Sequence, residues 1–140
     1  MVFQELMKKG IDNLIAFFLI VLFFSYVIIG SIIDYRTKKE IINKGRFSVG
    51  IIYKEFIGAR VSNTFTYKFI YKKNEFLSKK GVNDDFFNSH QIGDTIIIKF
   101  LPEDPTKSII IEEVEYKSCM GLPPKEGWKE LPRCESLPLR

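Results

Sequence analysis

LIAFFLIVLFFSYVIIGSII occupies residues 14–33, and its reading decides how the rest of the chain is organised. The stretch has no ionisable side chain. At about 1.5 Å of helical rise per residue, some twenty apolar residues cross a hydrocarbon layer of about 30 Å. A signal peptide has a shorter apolar region, about 7 to 15 residues, closed by a small-x-small cleavage site. Here Gly30 and Ser31 are set among Ile28, Ile29 and Ile32, and no Cys follows closely enough for lipid modification. A core helix would carry a polar stripe, whereas only Ser25 and Tyr26 interrupt this one. The stretch is predicted to be an uncleaved transmembrane helix.

The 140 residues then divide into a segment 1–13, the span 14–33, a basic linker 34–46, a β-domain 47–116 and a tail 117–140. About one hundred residues past the helix suffice for one small domain, near the lower limit for a self-sufficient core. The net charge is +4, but it is unevenly spread. Residues 36–80 hold twelve Lys or Arg against three acids, an excess of nine; residues 81–140 hold seven against eleven, a deficit of four. The basic half follows the span directly.

In MVFQELMKKGIDN, residues 1–13, Val2, Phe3, Leu6, Met7 and Ile11 recur at helical spacing, as in a short interfacial helix, and Asp12 or Asn13 could cap the span. Beyond the span, Arg36, Lys38, Lys39, Lys44 and Arg46 are placed to contact lipid headgroups. Against Lys8 and Lys9 on the other side, the positive-inside rule by itself assigns the domain to the cytoplasm.

From Phe47 the pattern changes to strands. FSVGIIYKEFI is rich in β-branched and aromatic residues, and TFTYKFIYKK alternates strictly, with Phe65, Tyr67, Phe69 and Tyr71 on one face and Thr66, Lys68, Ile70 and Lys72 on the other. Lys73 and Asn74 suit a turn before a short strand EFLSK; residues 84–89 suit one helical turn or a loop. GDTIIIKFL and SIIIEEVEY form a further hairpin across PEDPTK. The expectation is a mainly β chain with one N-terminal transmembrane helix and a small antiparallel five-stranded barrel or sandwich.

The Gly-led first strand, the aromatic second strand and the run Gly93-Asp94-x-Ile96-x-Ile98-x-Phe100-x-Pro102-x-x-Pro105-x-x-Ser108 carry a resemblance. The segment 45–114 resembles a bacterial family of small membrane-anchored β-domains of unknown function, marked by a Gly-Asp strand and a Pro-x-x-Pro-x-x-Ser turn. The resemblance implies a fold and a membrane setting, with no reaction and no catalytic residues. This chain departs from many members in lacking a second membrane helix and in having a Pro- and Cys-containing tail.

That tail holds both cysteines, Cys119 and Cys134, around a stretch with Pro123, Pro124, Gly127, Pro132 and the only Trp, Trp128. A disulfide between them suits such a loop, with Trp128 packing the tail onto the sheet; free thiols are the alternative. A lasting disulfide requires an oxidising compartment. This outweighs the charge count and puts the domain outside the cytoplasm, on a bacterial inner membrane.

Chemistry-bearing constellations are sparse. With His90 the single histidine, a Ser/His/Asp triad or a histidine metal site has little to draw on, and a zinc set of Cys119, Cys134 and His90 lacks a spaced fourth ligand. Asp84 with Asp85, and Glu103 with Asp104, suit solvated turns better than paired catalytic carboxylates. No catalytic residue, cofactor or metal is expected. A basic barrel with an aromatic row also matches a single-stranded nucleic-acid platform, but so small a domain must bury those rings, so no nucleic acid is expected. Two readings remain: an accessory or scaffold subunit touching membrane lipid and other envelope proteins, or an immunity-type protein that neutralises a toxin. Homo-oligomerisation has no support, since Ser25, Gly30 and Ser31 form no small-x-x-x-small pair.

Overall fold

The computed structural model describes residues 2–59 and 62–134, except the side chains of residues 2–9 and 12. The amphipathic reading of 1–13 and the end of the tail after Cys134 lie outside the described residues, whereas an Asp12 or Asn13 cap is corrected, because the first helix starts at Val2 and runs through both positions. The chain forms two compact units, residues 1–37 and 38–140.

Helix α1, Val2–Lys44, is one helix long and apolar enough to span a membrane, near the N-terminus. Its apolar side chains from Leu14 to Ile33 are exposed all round. In lipid a free hydroxyl would be costly, and both serines are satisfied within the helix: Ser25 Oγ donates to the Val21 carbonyl (2.8 Å) and Ser31 Oγ to that of Val27 (3.0 Å).

The expected linker 34–46 is corrected, because residues 34–44 continue α1 and Arg46 begins the first strand. The segment contains no Gly or Pro before Gly45, and Glu40 pairs with Lys44 at i,i+4 (3.7 Å). Gly45 ends the helix by donating its N–H to the Ile41 carbonyl at 2.9 Å, where a Cβ would sit 2.3 Å from that oxygen.

The second unit is built from β1 (Arg46–Phe56), β2 (Thr64–Tyr71), β3 (Asn74–Gly81), α2 (Asp84–Ser89), β4 (Thr95–Leu101), β5 (Asp104–Ile110) and a 3-10 turn at Ser118–Met120. The sheet order is β3-β2-β1-β4-β5, all antiparallel, and β3 approaches β5 so that the sheet nearly closes into a barrel. The cyclic order is β1-β2-β3-β5-β4, with α2 between β3 and β4.

The period of two in β2 holds. Phe65, Tyr67, Phe69 and Tyr71 are buried with Ile52, Ile96, Ile98 and Phe100. Two turns differ from expectation. The β2–β3 turn is Lys72-Lys73, both at positive φ (49° and 69°), and Asn74 pairs with Tyr71. A two-residue hairpin needs that geometry, which the sequence signal of Asn or Gly normally announces. The second correction is β5, which starts at Asp104, inside the expected turn, and stops at Ile110. Pro105 is tolerated because β5 is an edge of the sheet.

The segment 93–108 has structural uses throughout. Gly93 takes φ 97° and donates to the Ile52 carbonyl (2.9 Å), Asp94 accepts from the Gln91 N–H (2.9 Å), and Ser108 is fully buried against Tyr67, Oγ to OH 2.7 Å. Asn83 caps α2 by accepting from the Phe86 N–H (2.8 Å), bringing Phe86 and Phe87 onto Phe65.

Removing the hydroxyl in Tyr67→Phe strands the Ser108 Oγ and is expected to cost about 1–3 kcal/mol. Adding Ser108→Ala removes both partners, so the double variant should be less destabilised than the two single losses summed, in chemical denaturation. Burial pushes the Tyr67 hydroxyl above its ordinary value of 10.0. The stability owed to neutral Tyr67 is then full below that value and is lost as pH rises through the folded pKa. Phenolate absorbance should show one tyrosine that ionises late, absent from Tyr67→Phe. Separately, Lys72→Asn with Lys73→Gly relieves two left-handed residues and should raise stability by about 1 kcal/mol or more in the same assay.

Candidate functional site

Hydrogen bonding between β1 and β2 begins at Ile51↔Lys68 and runs toward Phe56↔Thr64. On the other side of that pair the strands part, and the tail enters the gap. Trp128 exchanges two backbone hydrogen bonds with Phe47, each 2.8 Å, and the Lys72 N–H donates to the Lys125 carbonyl (3.4 Å). Gly127 makes this approach possible: its φ is 76°, and a Cβ would lie 2.8 Å from the Phe47 carbonyl oxygen. Cys119 and Cys134 stand at bonding distance, with Cα atoms 5.7 Å apart, and close the tail into a loop. Trp128 holds the tail to the sheet through its backbone, with its side chain half-buried.

Between Ile51↔Lys68 and the Phe47 bridge, an apolar slot of about 490 Å³ remains. Ser48, Val49 and Ile51 line one side, Phe69 and Ile70 the other, and Leu122, Pro123 and Pro124 the end. Val49 and Ile70 lie outside the β1–β2 ladder, so the slot runs between two strand edges within the sheet. Sequence reasoning missed it. Alternation reveals faces, while the slot depends on where a ladder stops.

A second, acidic cavity of about 770 Å³ lies beside α2, lined among others by Asp85, His90, Asp94, Glu112 and Glu115. Several of its polar groups are committed to structure. Glu112 accepts from the Asn83 side-chain amide, and Asp94 accepts from Gln91. His90 Nδ1 lies 2.9 Å from the Phe86 carbonyl oxygen and 2.9 Å from Ser89 Oγ. A carbonyl only accepts, which assigns the proton to Nδ1, and the Ser89 hydroxyl donates to the same carbonyl (3.0 Å). The pair therefore closes the C-terminal end of α2, leaving no base facing the serine oxygen.

The other candidates are dispersed. Asp84 accepts from Asn63 Nδ2 (2.9 Å), and the Asp104 carboxyl is held below its ordinary range by the Thr106 hydroxyl and, more weakly, by Lys107. Cys119 and Cys134 face each other and not His90; among the described residues no three His, Cys, Asp or Glu side chains gather as metal ligands. Of the expected headgroup contacts, Arg36, Lys38, Lys39 and Lys44 are exposed, Lys44 pairs with Glu40, and Arg46 is half-buried at the start of β1. Lys99, unremarked in the sequence, donates from Nζ to the Ile42 carbonyl (2.6 Å) and lies over the Phe47 ring; its burial pulls the ammonium below the usual lysine value. This cation meets the carbonyl end of α1, where positive charge is favoured.

No family model, curated protein or solved structure matches this chain.

Opening the tail loop with Cys119→Ser and Cys134→Ser is expected to cost about 3 kcal/mol, from the entropy of a loop this long. Gly127→Ala, which puts a Cβ against the Phe47 carbonyl, should lower the thermal midpoint and speed hydrogen exchange at the Phe47 and Trp128 amides, leaving β4 and β5 amides protected.

Proposed function

We propose that this chain is a single-pass, membrane-anchored, non-catalytic β-domain that serves as an accessory or scaffold subunit of a bacterial envelope complex. Its slot between Val49 and Ile70 receives an extended segment of a partner protein. The slot carries this reading. Two strand edges offer main-chain donors and acceptors, and the apolar walls offer side-chain contact, the combination that strand addition uses. The helix α1 supports the anchoring, and the Cys119–Cys134 pair supports an oxidising location on the outer side of the inner membrane. The positive charge after the span argues for the opposite side, so the cysteine state is the more direct measurement. The sequence resemblance to membrane-anchored β-domains agrees with the setting.

Photo-crosslinking residues at positions 49 and 70, introduced in cells, should each yield the same discrete protein adduct, with none from the exposed position 113. Lipid-only adducts, or adducts equally strong at position 113, would overturn the reading. Alkylation of intact cells should find Cys119 and Cys134 unreactive until reduced; reactive thiols would place the domain in a reducing compartment.

A further inference from the structure

The outward side of β1–β2–β3 is poorly suited to water. An antiparallel sheet with one buried face normally turns polar residues outward. Here Tyr53, Phe56 and Leu77 are 59%, 57% and 58% exposed on that side. The register identifies the side: Lys68 pairs with Leu77, and Thr66, between the buried Phe65 and Tyr67, pairs with Lys54 and Lys79. A bulge at Tyr53 adds its ring to the same face, where Lys68 Nζ lies 5.9 Å from the ring centroid, and Lys79 Nζ lies 5.2 Å from that of Phe56. The acid on this face, Glu75, is 3.9 Å from Lys68 and leaves Lys54 and Lys79 without an opposing carboxylate within ion-pair distance among the described residues.

We infer that this face docks on an anionic lipid surface, with Tyr53, Phe56 and Leu77 entering the headgroup boundary and Lys54, Lys68 and Lys79 reaching lipid phosphates. The inference rests on the reading of α1 as an anchor, which keeps a bilayer permanently within reach. Aromatic rings mixed with an aliphatic side chain and flanked by long cationic stems are the composition that settles at a membrane interface, the stems lying on apolar surface while the ammonium groups stay with phosphate. Charge complementarity selects anionic lipid over zwitterionic. A nucleic-acid strand fits less well: bases stack on open aromatic faces, whereas both rings here have lysine ammonium groups over them and Leu77 offers no stacking surface.

The test uses the full chain in nanodiscs with brominated acyl chains, made either of phosphatidylcholine alone or of equal parts phosphatidylcholine and phosphatidylglycerol. Tryptophan is introduced as Leu77→Trp or, at an exposed control position, Glu113→Trp, keeping Trp128 in both as an internal reference for folding. In anionic discs the fluorescence added by Leu77→Trp should be quenched at least twofold more than that added by Glu113→Trp. The excess should vanish in zwitterionic discs and in the background K54E/K68E/K79E. Equal quenching at the two positions in a chain that has entered the discs overturns this inference alone. A chain that fails to enter discs overturns the anchor and this inference together. If single-stranded oligothymidylate abolishes the excess at physiological salt, the face belongs to nucleic acid and the lipid assignment falls. Should Leu77→Trp disturb folding, Tyr53→Trp on the same face is expected to show the same excess, and its absence counts against the inference.

Discussion

Burying the inward side chains of β2 is the constraint on which the domain depends. Phe65, Tyr67, Phe69 and Tyr71 project to one side at alternate positions, and a flat five-stranded sheet would cover only part of so much ring surface. Rolling the sheet until β3 meets β5 surrounds them. Closure then raises a polar problem, because the Tyr67 hydroxyl ends inside the barrel, where an unpaired group would be expensive. Ser108 on β5 meets it from across the interior at 2.7 Å, tying the second strand to the fifth. The same volume has to be conceded elsewhere. On β1 the inward positions include Ser48 and Gly50, and a Cβ on Gly50 would come within 3.1 Å of the Tyr67 ring and 3.3 Å of Ile98.

The helical unit has the opposite surface, apolar where the sheet unit is largely polar. Its apolar residues cover every side, and its two serine hydroxyls bond to carbonyls one turn earlier, which leaves the exposed Tyr26 hydroxyl as the polar side-chain group within 14–33 not bonded inside the helix. A helix of this kind is long and apolar enough to span a membrane. The sheet unit shows the opposite economy. Its interior is filled by the packed rings and isoleucines, and its surface carries a slot bordered by Val49 and Ile70 and an outward face of rings and lysines.

Much of this was legible in the chain because it follows from periodicity. The apolar run 14–33 and the alternation of TFTYKFIYKK are local signals, and they led to the helix and the buried face. The gathering of Cys119 and Cys134 was also anticipated, from a proline-rich loop between them. Features set by competition between distant segments were hidden. Lys72 and Lys73 turn with positive φ because β2 and β3 fix the register around them, against their own preference. The strand at Asp104 begins early because β4 supplies an edge for it. The helix runs on past Ile33 because nothing before Gly45 interrupts it, although charge alone suggested a separate linker. The slot had no signal at all, since no residue type marks the point where two strands diverge.

The bridge from Phe47 to Trp128 has a consequence for biogenesis. Eighty residues of synthesis separate the two partners, so a nascent chain completes four neighbouring strands while the start of β1 still has a bare flank. A chain cut between Ile110 and Lys125 would hold all five strands and lack the cover on that flank. The tail is thus a cover that arrives only after the strands it protects.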